Sequence, residues 1–170
     1  METEPCPGCY AELVPVDGPT HRYIGSSAAC WDLYTRMLAG DPPLTPSPRT
    51  PLLVDAYAAQ HPGGISPQAT QSAAIHLVVL EAVLARRFPI EHVVDLRVAA
   101  VEVGREWDGY PKLDPVPSTW EITIGDLAST RDVTERSSQF GRYVESVWRS
   151  WVDLHGEEVA DWCSIAVERL

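Results

Sequence analysis

Basic residues are scarce in this chain of 170 residues: 13 Lys and Arg stand against 24 Asp and Glu, for a formal net charge of -11 at pH 7. Affinity for a phosphate backbone comes chiefly from clustered Lys and Arg. The few basic residues here are scattered, so nucleic acid is excluded as an expected partner. Long hydrophobic runs are also missing. The longest, Ala73 to Ala85, is interrupted by His76 and Glu81 and falls short of the roughly 20 apolar residues that span a bilayer. Met1 to Pro7 carries acids where a secretory leader carries bases, and no apolar stretch follows. The expected compartment is therefore the cytoplasm, with no membrane partner. No Walker loop, GxGxxG, GxSxG or HExxH is present. Cysteine is limited to four residues, and in a reducing compartment thiols more often ligate metal or react than form disulfides.

What is present is ordinary for a globular protein, with 45% hydrophobic and 22% charged residues. The length fits one domain, 1–170, able to bury a core without disulfide staples. Five prolines within DPPLTPSPRTP make 41–51 an extended connector between a unit spanning 1–40 and a helical body spanning 52–170. Ser26 or Ser27 caps a helix to about Ala39, with Trp31, Tyr34 and Leu38 on one face. A short helix from about Leu52 to Gln60 stops at HPGG, and Ser66-Pro67 starts another that runs to about Arg87. A further helix covers about Ile90 to Gly104. WDGYPKLDPVPSTW reads as loop, and TWEITI as a short strand or extended arm without an evident partner. Ser129 with Asp132 starts a long helix to about Leu154, with Phe140, Val144, Val147, Trp148 and Trp151 facing a core, and a last helix covers about Glu157 to Arg169. The expected fold is mostly α, a compact bundle of five or six helices with an N-terminal zinc-knuckle-like segment.

Three of the four cysteines and one histidine fall within CPGCYAELVPVDGPTHRYIGSSAACW. A CxxC turn can deliver two thiolates to one ion, and the intervening Pro-Gly favours the turn. A structural zinc needs four ligands. Cys6, Cys9, His21 and Cys30 complete such a set within one segment, and Cys30 gains thiolate character from the first turn of its helix. His61 or His76 can take the place of His21. A redox reading of CxxC is weaker, because no strand precedes it as in a thioredoxin-like unit.

A second polar set, Asp55, Tyr57, Gln60, His61, Gln68, Gln71, Ser72 and His76, straddles HPGG. Gln68, Ser72 and His76 share one helix face, and Asp55 can orient a histidine for proton transfer or ligation. Asp55, Tyr57, His61 and His76 are the candidate catalytic residues, and the competing expectation is that they are hydrogen-bonded core. His92 and His155 are expected on exposed faces without partners. Trp148, Trp151 and Trp162 are expected as core, and Cys163 as a small buried hydrophobe.

The combination CPGC, DGPTHRYIGSSAACW, VDAYAAQHPGG and QSAAIHL resembles a bacterial family of unknown function, number 5946 in its series, over nearly the whole chain. The resemblance implies motif residues at Cys6, Cys9, Asp17, His21, Cys30, Trp31, Asp55, Tyr57, Gln60, His61 and His76, and implies no activity. The chain departs from the family pattern at Ala28-Ala29, where Pro-Gly is common, and in its proline-rich connector.

Three functions compete. The first is a zinc-binding helical protein whose Zn2+ is structural, beside a polar His/Asp pocket for a small ligand. The second is a zinc enzyme of hydrolase, lyase or cyclase type with an open metal position. The third is a thiol sensor that releases zinc on oxidation. They differ in coordination number: four protein ligands, three plus water, or three labile thiolates.

Overall fold

The computed structural model describes residues 2–40 and 51–170; most of the predicted connector therefore lies outside the described residues. The chain begins with a two-stranded antiparallel hairpin, β1 (Glu4–Pro5) and β2 (Glu12–Leu13), in which Glu4 pairs with Leu13. Six α-helices follow among the described residues: α1 (Ala28–Leu38), α2 (Pro51–Gln60), α3 (Pro67–Leu84), α4 (Val93–Glu106), α5 (Ile124–Ser129) and α6 (Val133–Val167). A 3-10 turn at Ile90–His92 leads into α4. The fold is mostly α, as the sequence predicts. No helix among the described residues is long and apolar enough to cross a membrane.

α3 is the central element and packs against α2, α4 and α6. Its apolar run has no polar face to spare: Leu77, Val78, Val79 and Leu80 are all fully buried. Caps set the frame. Ser27 accepts from the Cys30 amide to begin α1, and Ser66 accepts from the Ala69 amide ahead of Pro67 to begin α3. Each such cap stabilises by about 1 kcal/mol.

Several expectations are corrected. The buried face of α1 is Cys30, Tyr34 and Met37, and Leu38 is exposed. TWEITI forms no strand: Thr123 and Asp126 close a reciprocal capping box, and its last residue, Ile124, opens α5. The N-cap of α6 is Asp132, and α6 consists of the two predicted C-terminal helices joined across a kink at His155, whose φ is -139°, between the predicted end at Leu154 and the predicted start at Glu157. His155 is buried, and its Nε2 donates to the Pro115 carbonyl at 2.7 Å. That bond ties the kink to the 107–123 loop. His92 stays exposed, 3.7 Å from the equally exposed Asp95. The predicted core positions Phe140, Val144, Val147, Trp151, Trp162 and Cys163 are buried, and the half-buried Trp148 donates to Glu81.

Candidate metal centre

The hairpin turn brings Cys6 and Cys9 together. The Cys6 amide donates to the Ala11 carbonyl and the Tyr10 amide to the Cys6 carbonyl, both at 2.9 Å, with Tyr10 in the left-handed region at φ 63°. Cys30 arrives from a separate element, the first turn of α1. The fourth member is His61, immediately after α2. Segment 24–25 fixes it there. Ile24 bridges to Pro62, and the Gly25 amide donates to the His61 carbonyl at 3.0 Å.

Glycine permits this approach. A Cβ on Gly8 would lie 2.5 Å from the Gly25 carbonyl oxygen and 2.7 Å from His61 Cδ2, and one on Gly63 would lie 2.3 Å from the Tyr23 carbonyl oxygen. The Gly of CPGC and the first Gly of HPGG therefore let three segments meet around one point. The 107–123 loop and its continuation secure the assembly from outside. Trp120 Nε1 donates to the Gly8 carbonyl at 2.9 Å, and Gln60 Nε2 donates to the Ile122 carbonyl at 2.8 Å.

The ligand atoms of Cys6, Cys9, Cys30 and His61 all lie within 4.8 Å of one another. Cys9 and Cys30 sulfurs are 3.9 Å apart, and Cys30 Sγ is 3.2 Å from His61 Nε2. A tetrahedral ion with metal–sulfur bonds of about 2.3 Å separates its sulfurs by about 3.8 Å and each sulfur from an imidazole nitrogen by about 3.5 Å. The residues therefore fit a single metal ion. All four are buried to 1% exposure or less. His61 Nδ1 lies 2.8 Å from the Tyr57 carbonyl oxygen. A carbonyl only accepts, so Nδ1 carries the hydrogen and the Nε2 lone pair faces the thiols, the tautomer a metal ligand needs.

Electrostatics point the same way. Cys30 pushes its thiol pKa upward because Cys6, then Cys9, crowd it and burial adds to the effect. At Cys9 the bond from Cys30 pulls downward, but Cys6 and desolvation outweigh it and push the pKa up to about 12. Cys6 is lowered, first by hydrogen bonding from Cys30 and then from Cys9. The three thiols titrate as one coupled group, and a bound cation favours ionisation of all three. Tyr57 donates its hydroxyl to Cys30 Sγ at 3.6 Å, within reach for the large sulfur atom. Burial, then the charge on Cys30, pushes the Tyr57 phenol far up. Among the described residues, the buried Tyr143 hydroxyl has no hydrogen-bond partner.

His21 is not in the set. It is exposed, its Nδ1 accepts from the Tyr23 amide at 3.1 Å, and its ring lies against Trp31 with centroids 5.1 Å apart. Nearness in sequence favours His21, but the Ile24–Pro62 crossing delivers His61 instead.

The second polar set divides. Residues 57 and 61 are one helical turn apart and face the thiols, whereas residue 55, about 200° around α2 from residue 57, faces the other way. Asp55 is fully buried; His76 Nδ1 donates to its Oδ1 at 2.7 Å, and Arg97 grips both oxygens at 2.9 and 2.5 Å. Asp55, Tyr57, His61 and His76 therefore do not line one pocket. Arg97, which completes the triad from α4, has no signal of its own in the sequence. Gln71 holds the loop through both its amide atoms on Tyr110. Beyond HPGG lies a cavity of about 30 Å³, with Gly63, Ala73, Leu113, Val116 and Trp151 in its wall, and none of the four candidate catalytic residues lines it.

The family of unknown function DUF5946 matches residues 4–152. The chain belongs to that family. The DUF5946 match takes in all four residues of the candidate metal-ligand cluster and the Asp55–His76–Arg97 triad, and it ends just short of the bend at His155. No curated protein and no solved structure matches the chain.

Proposed function

We propose that the chain is a zinc-binding helical protein in which one Zn2+, held by Cys6, Cys9, Cys30 and His61, is a structural centre joining the hairpin to α1 and to the end of α2. The observation that carries this reading is the gathering of four buried ligand atoms within 4.8 Å, from three separate parts of the chain. Three thiolates and an imidazole suit zinc better than the hard, oxygen-seeking Mg2+ or Ca2+. A full set of four protein ligands leaves no open position for water, which favours a scaffold over an enzyme with zinc-activated water. Burial of all three thiols shields them from oxidants, which counts against the sensor reading.

Metal analysis of the protein purified without added metal tests the proposal. One zinc per chain, lost together with thermal stability under a strong chelator, is the expected result. A metal-free, fully folded protein with three titratable thiols in the cluster overturns it.

A further inference from the structure

We propose that Tyr57 is the positioning residue of the metal centre, and that its hydroxyl, by donating to Cys30 Sγ, sets how strongly the thiolates bind the ion. The inference rests on the zinc reading above and goes further by assigning control of the centre to a residue that is not a ligand.

Charge makes such a residue necessary. Three thiolates and a divalent ion sum to one net negative charge, here in a region where the ligands are at most 1% exposed. A buried charge without hydrogen bonds is costly. Backbone amides of Cys9 and Ala11 bond the Cys6 and Cys9 sulfurs, and the fold supplies further compensation. Cys30 sits in the first turn of α1, at the positive end of the helix dipole. The Ser27 amide donates to Cys6 Sγ at 3.4 Å. Among the described residues outside the cluster, the side chain that donates to a sulfur is Tyr57, through its hydroxyl.

Tyr57 is also tied to the centre at a second point, because its carbonyl takes the Nδ1 hydrogen of His61. One residue thus orients two ligands, the thiolate through its hydroxyl and the imidazole through its backbone. The ring is held in place between Tyr34, stacked at 4.0 Å and 10°, and His61, at 4.1 Å. The hydroxyl is therefore pre-aimed. A hydrogen bond to a metal-bound thiolate withdraws electron density from sulfur, which raises the charge-transfer energy, and it also stabilises the buried thiolate charge and steadies its position, the effects that strengthen binding here.

The full-length chain loaded with Co2+ as a spectroscopic probe tests this. Tyr57→Phe keeps the ring, the stack and the carbonyl, and removes only the hydroxyl. The expected result is a shift of the sulfur-to-cobalt charge-transfer band to lower energy, with metal affinity against a competing chelator weakened about tenfold or more. Tyr34→Phe removes a hydroxyl from the adjoining ring without touching the thiols, and should leave both readouts unchanged. Band and affinity unaltered in Tyr57→Phe overturn the inference while leaving the zinc reading intact. Failure of the wild-type chain to take up either Co2+ or Zn2+ overturns both. Should Tyr57→Phe fail to fold, 3,5-difluorotyrosine placed at position 57, a stronger donor of the same shape, must move the band to higher energy. An unmoved band with that residue also overturns the inference.

Discussion

Cys30 and His61 are 31 positions apart in sequence, yet Sγ of one lies 3.2 Å from Nε2 of the other. Neither α1 nor α2 contains both partners. The contact exists because the chain crosses itself between Ile24 and Pro62, and the distinction between His61 and His21 follows from that crossing. His61→Ala should therefore abolish stoichiometric zinc under chelator competition, whereas His21→Ala should retain one zinc per chain. Metal analysis of the two variants side by side checks this. Retention of zinc by His61→Ala together with its loss from His21→Ala would refute the assignment.

Alkaline conditions should separate the metal-free and metal-loaded proteins. Cys9 rises from an ordinary value near 9 to about 12 in the fold, and Cys30 is also raised. The folded protein then holds protons that the unfolded chain has lost, so stability falls as pH climbs from about 9 toward 12. Cys6 is lowered and acts in the opposite sense, adding stability as pH rises toward its ordinary value. The thiol contribution in the metal-free protein therefore peaks near pH 9. The metal-loaded protein, with its thiolates already deprotonated, should lack this thiol decline and keep only the loss from the buried phenols of Tyr34, Tyr57, Tyr110 and Tyr143, whose pKa values burial raises in both forms. Thermal melts of both forms across the range provide the measurement.

Two glycines give opposite expectations. At Gly8 an added Cβ meets the Gly25 carbonyl and the His61 ring inside contact distance, so Gly8→Ala should destabilise by about 1–3 kcal/mol and loosen metal binding. At Gly64 nothing lies within 4 Å, and Gly64→Ala should be neutral, within about 0.5 kcal/mol. Denaturant unfolding of the two variants at equal zinc loading would show the difference.

The Asp55 carboxylate offers a test that is independent of metal. Its burial is complete, and Arg97 supplies two of its bonds. Arg97→Met should cost about 3–5 kcal/mol by stranding a buried charge. His76→Ala should cost less, about 1–3 kcal/mol, because Arg97 remains. Zinc content should stay at one per chain in both, since the triad lies on the opposite side of α2 from the thiols. Loss of zinc from His76→Ala would return that histidine to the metal centre.

The sequence is most legible where one residue's chemistry acts locally. Ser27, Ser66-Pro67 and HPGG mark helix ends through caps and breakers, and the structure places the ends of α1, α2 and α3 beside them. CPGC and Cys30 are equally readable, since a thiol pair and a capped helix start are both short-range features. The errors share a different origin. Thr123 and Asp126 form a capping box in plain view, but the alternation of Ile122 and Ile124 suggested a strand. Grouping Asp55 with Tyr57 ignored the 100° turned per helical residue, which alone sends them to opposite faces. His61 rather than His21 as the fourth member, and Arg97 on Asp55, depend on contacts across the fold, and no local pattern encodes those; the break at His155 falls where the sequence reading separates two helices.

The hydrogen bond from Trp120 to the Gly8 carbonyl spans 112 positions, while the four ligands all lie within the first 61. Synthesis runs from the N-terminus, so the thiols and the imidazole leave the ribosome well before the segment that closes over them. An ion captured by this early portion is afterwards sealed in by the rest of the chain. For an ion held by these four residues, exchange from the finished protein would require the later-made layer, with Trp120 over Gly8, to lift away.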